Sequence, residues 1–74
     1  SYNFFVIIGQ LSSSGSRASI TIPRSAITTS SLAFQLADES YYYSFNVYVS
    51  TGTVYLSYKG RNSSGQILAV YGIN

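Results

Sequence analysis

The chain has no cysteine, histidine, methionine or tryptophan, and only one proline. Without cysteine there is no disulfide, and without cysteine or histidine there is no ligand set for a structural zinc. The common general base and the thiolate nucleophile are missing for the same reason. Charge is scarce too: charged residues make up 8% of the chain, against about 25% in an ordinary soluble domain. The net charge of +2 is too small to draw bulk nucleic acid or an anionic membrane. No long apolar run exists. Phe4 to Ile8 is the most hydrophobic stretch, and Gly9-Gln10 ends it far short of the ~20 residues a membrane span needs. It has neither the basic start nor the cleavage pattern of a secretory leader. No membrane insertion is therefore expected.

The 74 residues suffice for one β domain, residues 1–74. A domain of this size buries only ~60% of the surface its unfolded chain exposes. With no covalent or metal staple, tight packing, a longer parent chain or oligomerisation must hold it. Ser1 stands where an initiator methionine would, which suggests a processed piece or a domain of a longer chain; the resemblance described below implies its C-terminal part. Low charge with 16% aromatic residues is the reverse of a disordered composition, so solubility falls to Ser, Thr, Asn and Gln.

The dominant period is two, and strand formers fill every segment. Extended segments are expected at Tyr2–Leu11, Arg17–Ile22, a short piece near Arg24–Thr28, Ser31–Ala37, the two arms of a hairpin, and Gln66–Ile73. Leu, Ala and Gln in Ser31–Ala37 favour helix, but the strict alternation and short length favour strand. Turn chemistry at about 8–12-residue spacing points to an all-β fold, a small antiparallel β-sandwich or jelly-roll-like domain.

The hairpin is the most informative stretch. With Thr51-Gly52 as its turn, Val49 faces Val54, Val47 faces Leu56 and Phe45 faces Tyr58 on a core face. Tyr42, Ser44, Asn46 and Tyr48 then share the other face with Tyr55, Ser57, Lys59 and Arg61. Tyrosine rings and hydroxyls beside amides suit sugars or other polar, ring-shaped ligands. The candidate ligand-binding strip is Tyr42, Asn46, Tyr48, Tyr55, Lys59 and Arg61. The same strip reads equally as an ordinary sheet surface stiffened by a Tyr48–Tyr55 pair, or as a face covered by a neighbouring subunit.

The two end strands are apolar on both faces. Phe4, Val6 and Ile8 oppose Phe5, Ile7 and Leu11; Leu68 and Val70 oppose Ile67, Ala69, Tyr71 and Ile73. A two-layer sandwich covers one face of each strand, so the second face calls for another subunit, the alternative being two central strands shielded by loops and by their own twist. The expected interface residues are Phe5, Ile7, Tyr71 and Ile73.

Catalysis finds little footing. Asp38 and Glu39 are the only carboxylates, adjacent in a turn, whereas a glycosidase needs two carboxyls facing one bond. A hard-metal site on Asp38, Ser40 and backbone carbonyls would be weak. Ser57 and Lys59 on an exposed strand cannot act as nucleophile and base, because the lysine keeps its proton. The glycines at 9 and 60–65 lack the strand-to-helix setting of a phosphate loop. Asn62-Ser63-Ser64 matches the N-glycosylation triplet. A single-strand nucleic-acid platform on Tyr42, Tyr48, Tyr55, Lys59 and Arg61 is conceivable, but four cations in the whole chain argue against it. No enzyme activity, cofactor or metal is expected.

Together the residues SRASITIPRSAI, YYYSFNVYVSTGTVYLSY and GQILAVYGIN resemble the C-terminal head domains of trimeric bacteriophage tail fibres and receptor-binding proteins. The resemblance is one of style and composition and spans most of the chain. It implies a homotrimer at the tip of a fibre, on the virion or otherwise extracellular, attaching to a host cell-surface polysaccharide or protein. The missing His and Trp depart from many sugar-binding sites.

Overall fold

A computed structural model of the chain describes residues 2–74. It is all-β: β1 (Phe4–Gln10), β2 (Arg17–Pro23), β3 (Leu32–Ala37), β4 (Tyr42–Ser50), β5 (Thr53–Arg61) and β6 (Gln66–Ile73). They form two antiparallel three-stranded sheets, β2-β1-β6 (sheet A) and β3-β4-β5 (sheet B). The sandwich is thus the expectation realised, with fewer strands than the eight or so of a jelly roll. Among the described residues no helix is long and apolar enough to cross a membrane. The exposed area of 4536 Å² is close to the roughly 4,500 Å² expected of a folded monomer of this mass. Unusual exposure at particular apolar side chains therefore reflects where they point, not loose packing.

Alternation decides the inner faces. Ile7, Ile22, Leu36, Phe45 and Val47 are buried strand residues, joined by Leu11 and Ile27 from the flanking loops. Each such aliphatic or aromatic side chain contributes about 1.5–3 kcal/mol when fully removed from water. Phe34 and Phe45 are cross-strand partners whose rings stack at 6.0 Å, and Phe5, Ile20, Val49, Val54, Leu56 and Ile67 fill in around them. The segment Ser31–Ala37, helical by propensity, is a strand over Leu32–Ala37 because Phe34 and Leu36 must face sheet A. The expected extended piece after Pro23 is instead a single 3-10 turn, Arg24–Ala26. It carries the chain from sheet A to sheet B, with the Arg24 guanidinium donating to the Ile27 carbonyl at 3.0 Å.

The β4–β5 turn has the register read from the sequence, with Ser50 opposite Thr53, Val49 opposite Val54 and Tyr48 opposite Tyr55. Thr51 and Gly52 both have positive φ, 48° and 81°. That pair of values marks a type I′ turn, whose twist matches the strands. Glycine takes such a φ freely; a β-branched threonine does so only under strain. At the β3–β4 turn the Asp38 carboxylate accepts from the backbone N–H groups of Ser40 and Tyr41, both at 2.8 Å.

Two bulges break the alternation. In β5, Phe45 pairs with Tyr58 and Ser44 with Gly60, which leaves Lys59 as the extra residue. In β6, Ile8 pairs with Ala69 and Gly9 with Ile67, which leaves Leu68 over. Beyond a bulge every side chain changes face. Ile67, expected on the outward side with Ala69, Tyr71 and Ile73, therefore packs against the core. Gly65 precedes it where the β5–β6 connection passes β1, and a Cβ there would lie 2.7 Å from the Gln10 carbonyl oxygen.

Candidate functional site

Each sheet has an outer face, and the two differ in chemistry. The outer face of sheet A is built from directly paired residues: Phe4 with Ile73, Val6 with Tyr71, and Ile8 with Ala69. Phe4, Ile73 and Tyr71 remain 42%, 45% and 57% exposed. The ladder carries no charge. On its β2 side stand Ser19, Thr21 and Pro23, with the exposed Arg17 opposite Gln10 at the far end, so the apolar, uncharged part is confined to β1 and β6.

This corrects the expected subunit interface. Tyr71 and Ile73 do point outward, but Phe5 and Ile7 face inward. Ile7 is 1% exposed and Phe5 packs against the core. The outward residues of β1 are Phe4, Val6 and Ile8 instead. A strand that is apolar on both faces offers no local cue as to which face the second sheet covers. Tyr2 makes an edge-to-face contact with Phe5, ring centroids 6.0 Å apart, at one end of the inner face.

The outer face of sheet B holds most of the tyrosine strip. Tyr42, Ser44, Asn46 and Tyr48 follow one another along the central strand β4, with Gln35 on one side and Tyr55 and Ser57 on the other. Tyr48 and Tyr55 stack at 5.5 Å with their planes 20° apart. Tyr55 is exposed, while Tyr48 and Asn46 are half-buried by their neighbours on both sides. The Ser44 hydroxyl donates to the Gln35 side-chain oxygen at 3.0 Å. Lys59, the bulge residue, borders a shallow depression with Gln35, Ser44 and Ala33. Stacked rings beside amides, hydroxyls and one ammonium form a flat surface that can take C–H groups on the rings and hydroxyls on the polar groups.

Arg61 does not belong to this strip. Past the bulge it pairs with Tyr43 and lies on the core-side face of sheet B. Its guanidinium carbon sits 5.9 Å from the centroid of the Tyr58 ring. Five of the six expected strip residues, Tyr42, Asn46, Tyr48, Tyr55 and Lys59, thus share one face, and the sixth is on the other. Strict alternation carried past Lys59 could not have revealed this.

Asn62 has a part that the sequence did not disclose. Its side-chain oxygen accepts from the Tyr42 backbone N–H at 2.9 Å, and its amide nitrogen donates to the Ser40 carbonyl at 3.0 Å. The carboxamide thereby clips the β5–β6 loop to the start of β4, and a glycan on its nitrogen would compete with that clip. The neighbouring turn shifts the Asp38 carboxyl below its ordinary value, chiefly through the Ser40 backbone N–H and then that of Tyr41.

No protein-family model matches the chain, and neither does any curated protein or solved structure. Its class is defined by fold and surface: a small all-β sandwich with one apolar outer face and one aromatic, polar outer face.

Proposed function

We propose that the chain is a non-enzymatic recognition domain that attaches to a cell surface as a homotrimer, in the manner of a phage tail-fibre tip. The observation that carries this reading is the division of labour between the two outer faces. The uncharged ladder of Phe4, Val6, Ile8, Ala69, Tyr71 and Ile73 suits contact with further copies of the chain, since like copies meet there without charge repulsion. The strip of Tyr42, Asn46, Tyr48, Tyr55 and Lys59 on the opposite sheet stays outward and serves the ligand, a surface saccharide or protein. Weak single sites repeated around a threefold axis give useful avidity without new contacts. The style of SRASITIPRSAI and GQILAVYGIN supports a place at the end of a virion fibre.

The test replaces Tyr48 and Tyr55 with alanine together and measures attachment of labelled protein to cells and to immobilised surface polysaccharide. Attachment is lost while the trimer survives. Unchanged attachment sinks the reading.

A second reading has an observation of its own. Tyr48 and Tyr55 stack on each other, as a purely structural cross-strand pair does. The strip is then a second subunit contact in a structural module, and the same double variant dissociates or fails to fold. The nucleic-acid reading is weaker, because Arg61 leaves the platform it was expected to complete.

A further inference from the structure

The β5 bulge creates a second polar site that the alternating pattern conceals. Lys59 takes the extra position, and Arg61 is carried onto the core-side face at the end of β5, beside Tyr43 and Tyr58. Those two rings lie 5.6 Å apart and tilted by 53°. Together with Arg61, Gly65 and Gln66 they line a cleft of about 260 Å³ between the end of β5 and the start of β6. Small-molecule sites run from about 300 Å³ upward, so this one fits a single ring rather than an extended ligand.

The guanidinium is held before any ligand arrives. One of its nitrogens, Nη1, donates to the Gly65 carbonyl at 2.5 Å, and its central carbon lies over the Tyr58 ring, 5.9 Å from the centroid. Arginine has five N–H donors, and the carbonyl occupies one. The cleft lining contains no carboxylate to take the rest. Both carboxylates of the side chains, Asp38 and Glu39, lie in the exposed β3–β4 turn, where the Asp38 carboxylate is engaged by backbone N–H groups. A fixed, unmatched guanidinium is a bidentate receptor for a planar anion. The rings offer apolar faces to C–H groups, and the Gln66 carboxamide offers both a donor and an acceptor to hydroxyls.

We propose that this cleft binds a carboxylated sugar ring, with Arg61 on the carboxylate, Tyr43 and Tyr58 against the ring and Gln66 on its hydroxyls. It rests on the recognition reading above and adds to the outer strip a separate subsite, at the core-side end of β5, for an acidic ring of the saccharide. A phosphate or sulfate ester is the poorer match, because the lining supplies a single cation and tetrahedral anions call for several converging donors.

The probe is D-glucuronate, titrated into isotope-labelled protein with the side-chain resonances of Gln66, Tyr43 and Tyr58 followed by NMR. D-glucose, acetate and inorganic sulfate are titrated in parallel. Glucuronate produces saturable shifts at these residues and binds at least tenfold more tightly than each of the other three. Arg61→Gln removes the response. Arg61→Lys, which keeps the charge and loses the planar fork, weakens it at least tenfold with the backbone spectrum otherwise preserved. The inference is overturned by the absence of saturable shifts, or by glucose, acetate or sulfate matching glucuronate. It also falls if Arg61→Lys binds glucuronate as the parent does. Any of these failures with cell attachment still dependent on Tyr48 and Tyr55 removes the cleft alone; a parent protein that attaches to no surface removes the recognition reading itself.

Discussion

The apolar ladder on sheet A can be probed by replacing Phe4 and Ile73 with threonine together. The two residues are direct cross-strand partners and keep 42% and 45% of their surface exposed. Fully burying a side chain of this size is worth about 1.5–3 kcal/mol. With somewhat under half of that surface still in water, the proposed trimer would gain about 1 kcal/mol from each residue, or about 2 kcal/mol per protomer. Three protomers lose about 6 kcal/mol in the variant. The half-assembly concentration of a monomer–trimer equilibrium follows the square root of its dissociation constant. It therefore rises roughly hundredfold, at about tenfold per 1.4 kcal/mol. Threonine is a strand former, so the isolated domain should change little. Sedimentation equilibrium over a wide concentration range measures the effect, with circular dichroism confirming an unchanged fold. A wild-type chain that is monomeric at every concentration, or a variant with the same midpoint as the parent, refutes the assignment of this face to self-association.

Two further outcomes follow from turns. Thr51 adopts a φ of 48° that costs a β-branched residue about 1 kcal/mol or more, and asparagine is favoured at this position of a type I′ turn. Thr51→Asn therefore raises the thermal midpoint by about 4–8 °C, readable by differential scanning calorimetry; no rise would mean that the threonine is unstrained. The Asp38 carboxyl is lowered by the Ser40 and Tyr41 backbone N–H groups, so its stabilising contribution is complete above the ordinary carboxylate value. It is lost as pH falls through the lowered folded-state value, in the window below about pH 4. Melting curves across this range should show the loss in the parent and a smaller one in Asp38→Asn, and equal losses would remove Asp38 as the cause.

Much of the fold was legible because sheet-forming information is local and has a period of two. Val47 and Val49 had to share a face with Phe45, and Thr51-Gly52 had to set the register, because a slip of one residue would bury Asn46 and Ser44. The candidate strip followed from the same alternation as far as Lys59. It failed at Arg61, and the matching reading of β6 failed at Ile67, because a bulge is chosen by how two strands fit along their whole length. The subunit-face assignment failed at Phe5 and Ile7 for a different reason. Residues of equal hydropathy on both sides of β1 do not say which side the other sheet will cover.

By itself, then, the sequence determined the class, the six strands, the hairpin register and the chemistry available: tyrosines, amides and hydroxyls, with little charge and neither histidine nor cysteine. Tertiary structure alone decided that β6 pairs with β1, that Ile7 is core while Phe4 is surface, and that Lys59 and Arg61 part company. Hydrophobic burial is satisfied once per strand face and hydrogen-bond pairing once per strand edge. Which face and which edge are used depends on partners far away in the chain. The contrast between an apolar outer face and a tyrosine-rich one, and with it the proposed division between assembly and recognition, exists only after those choices are made.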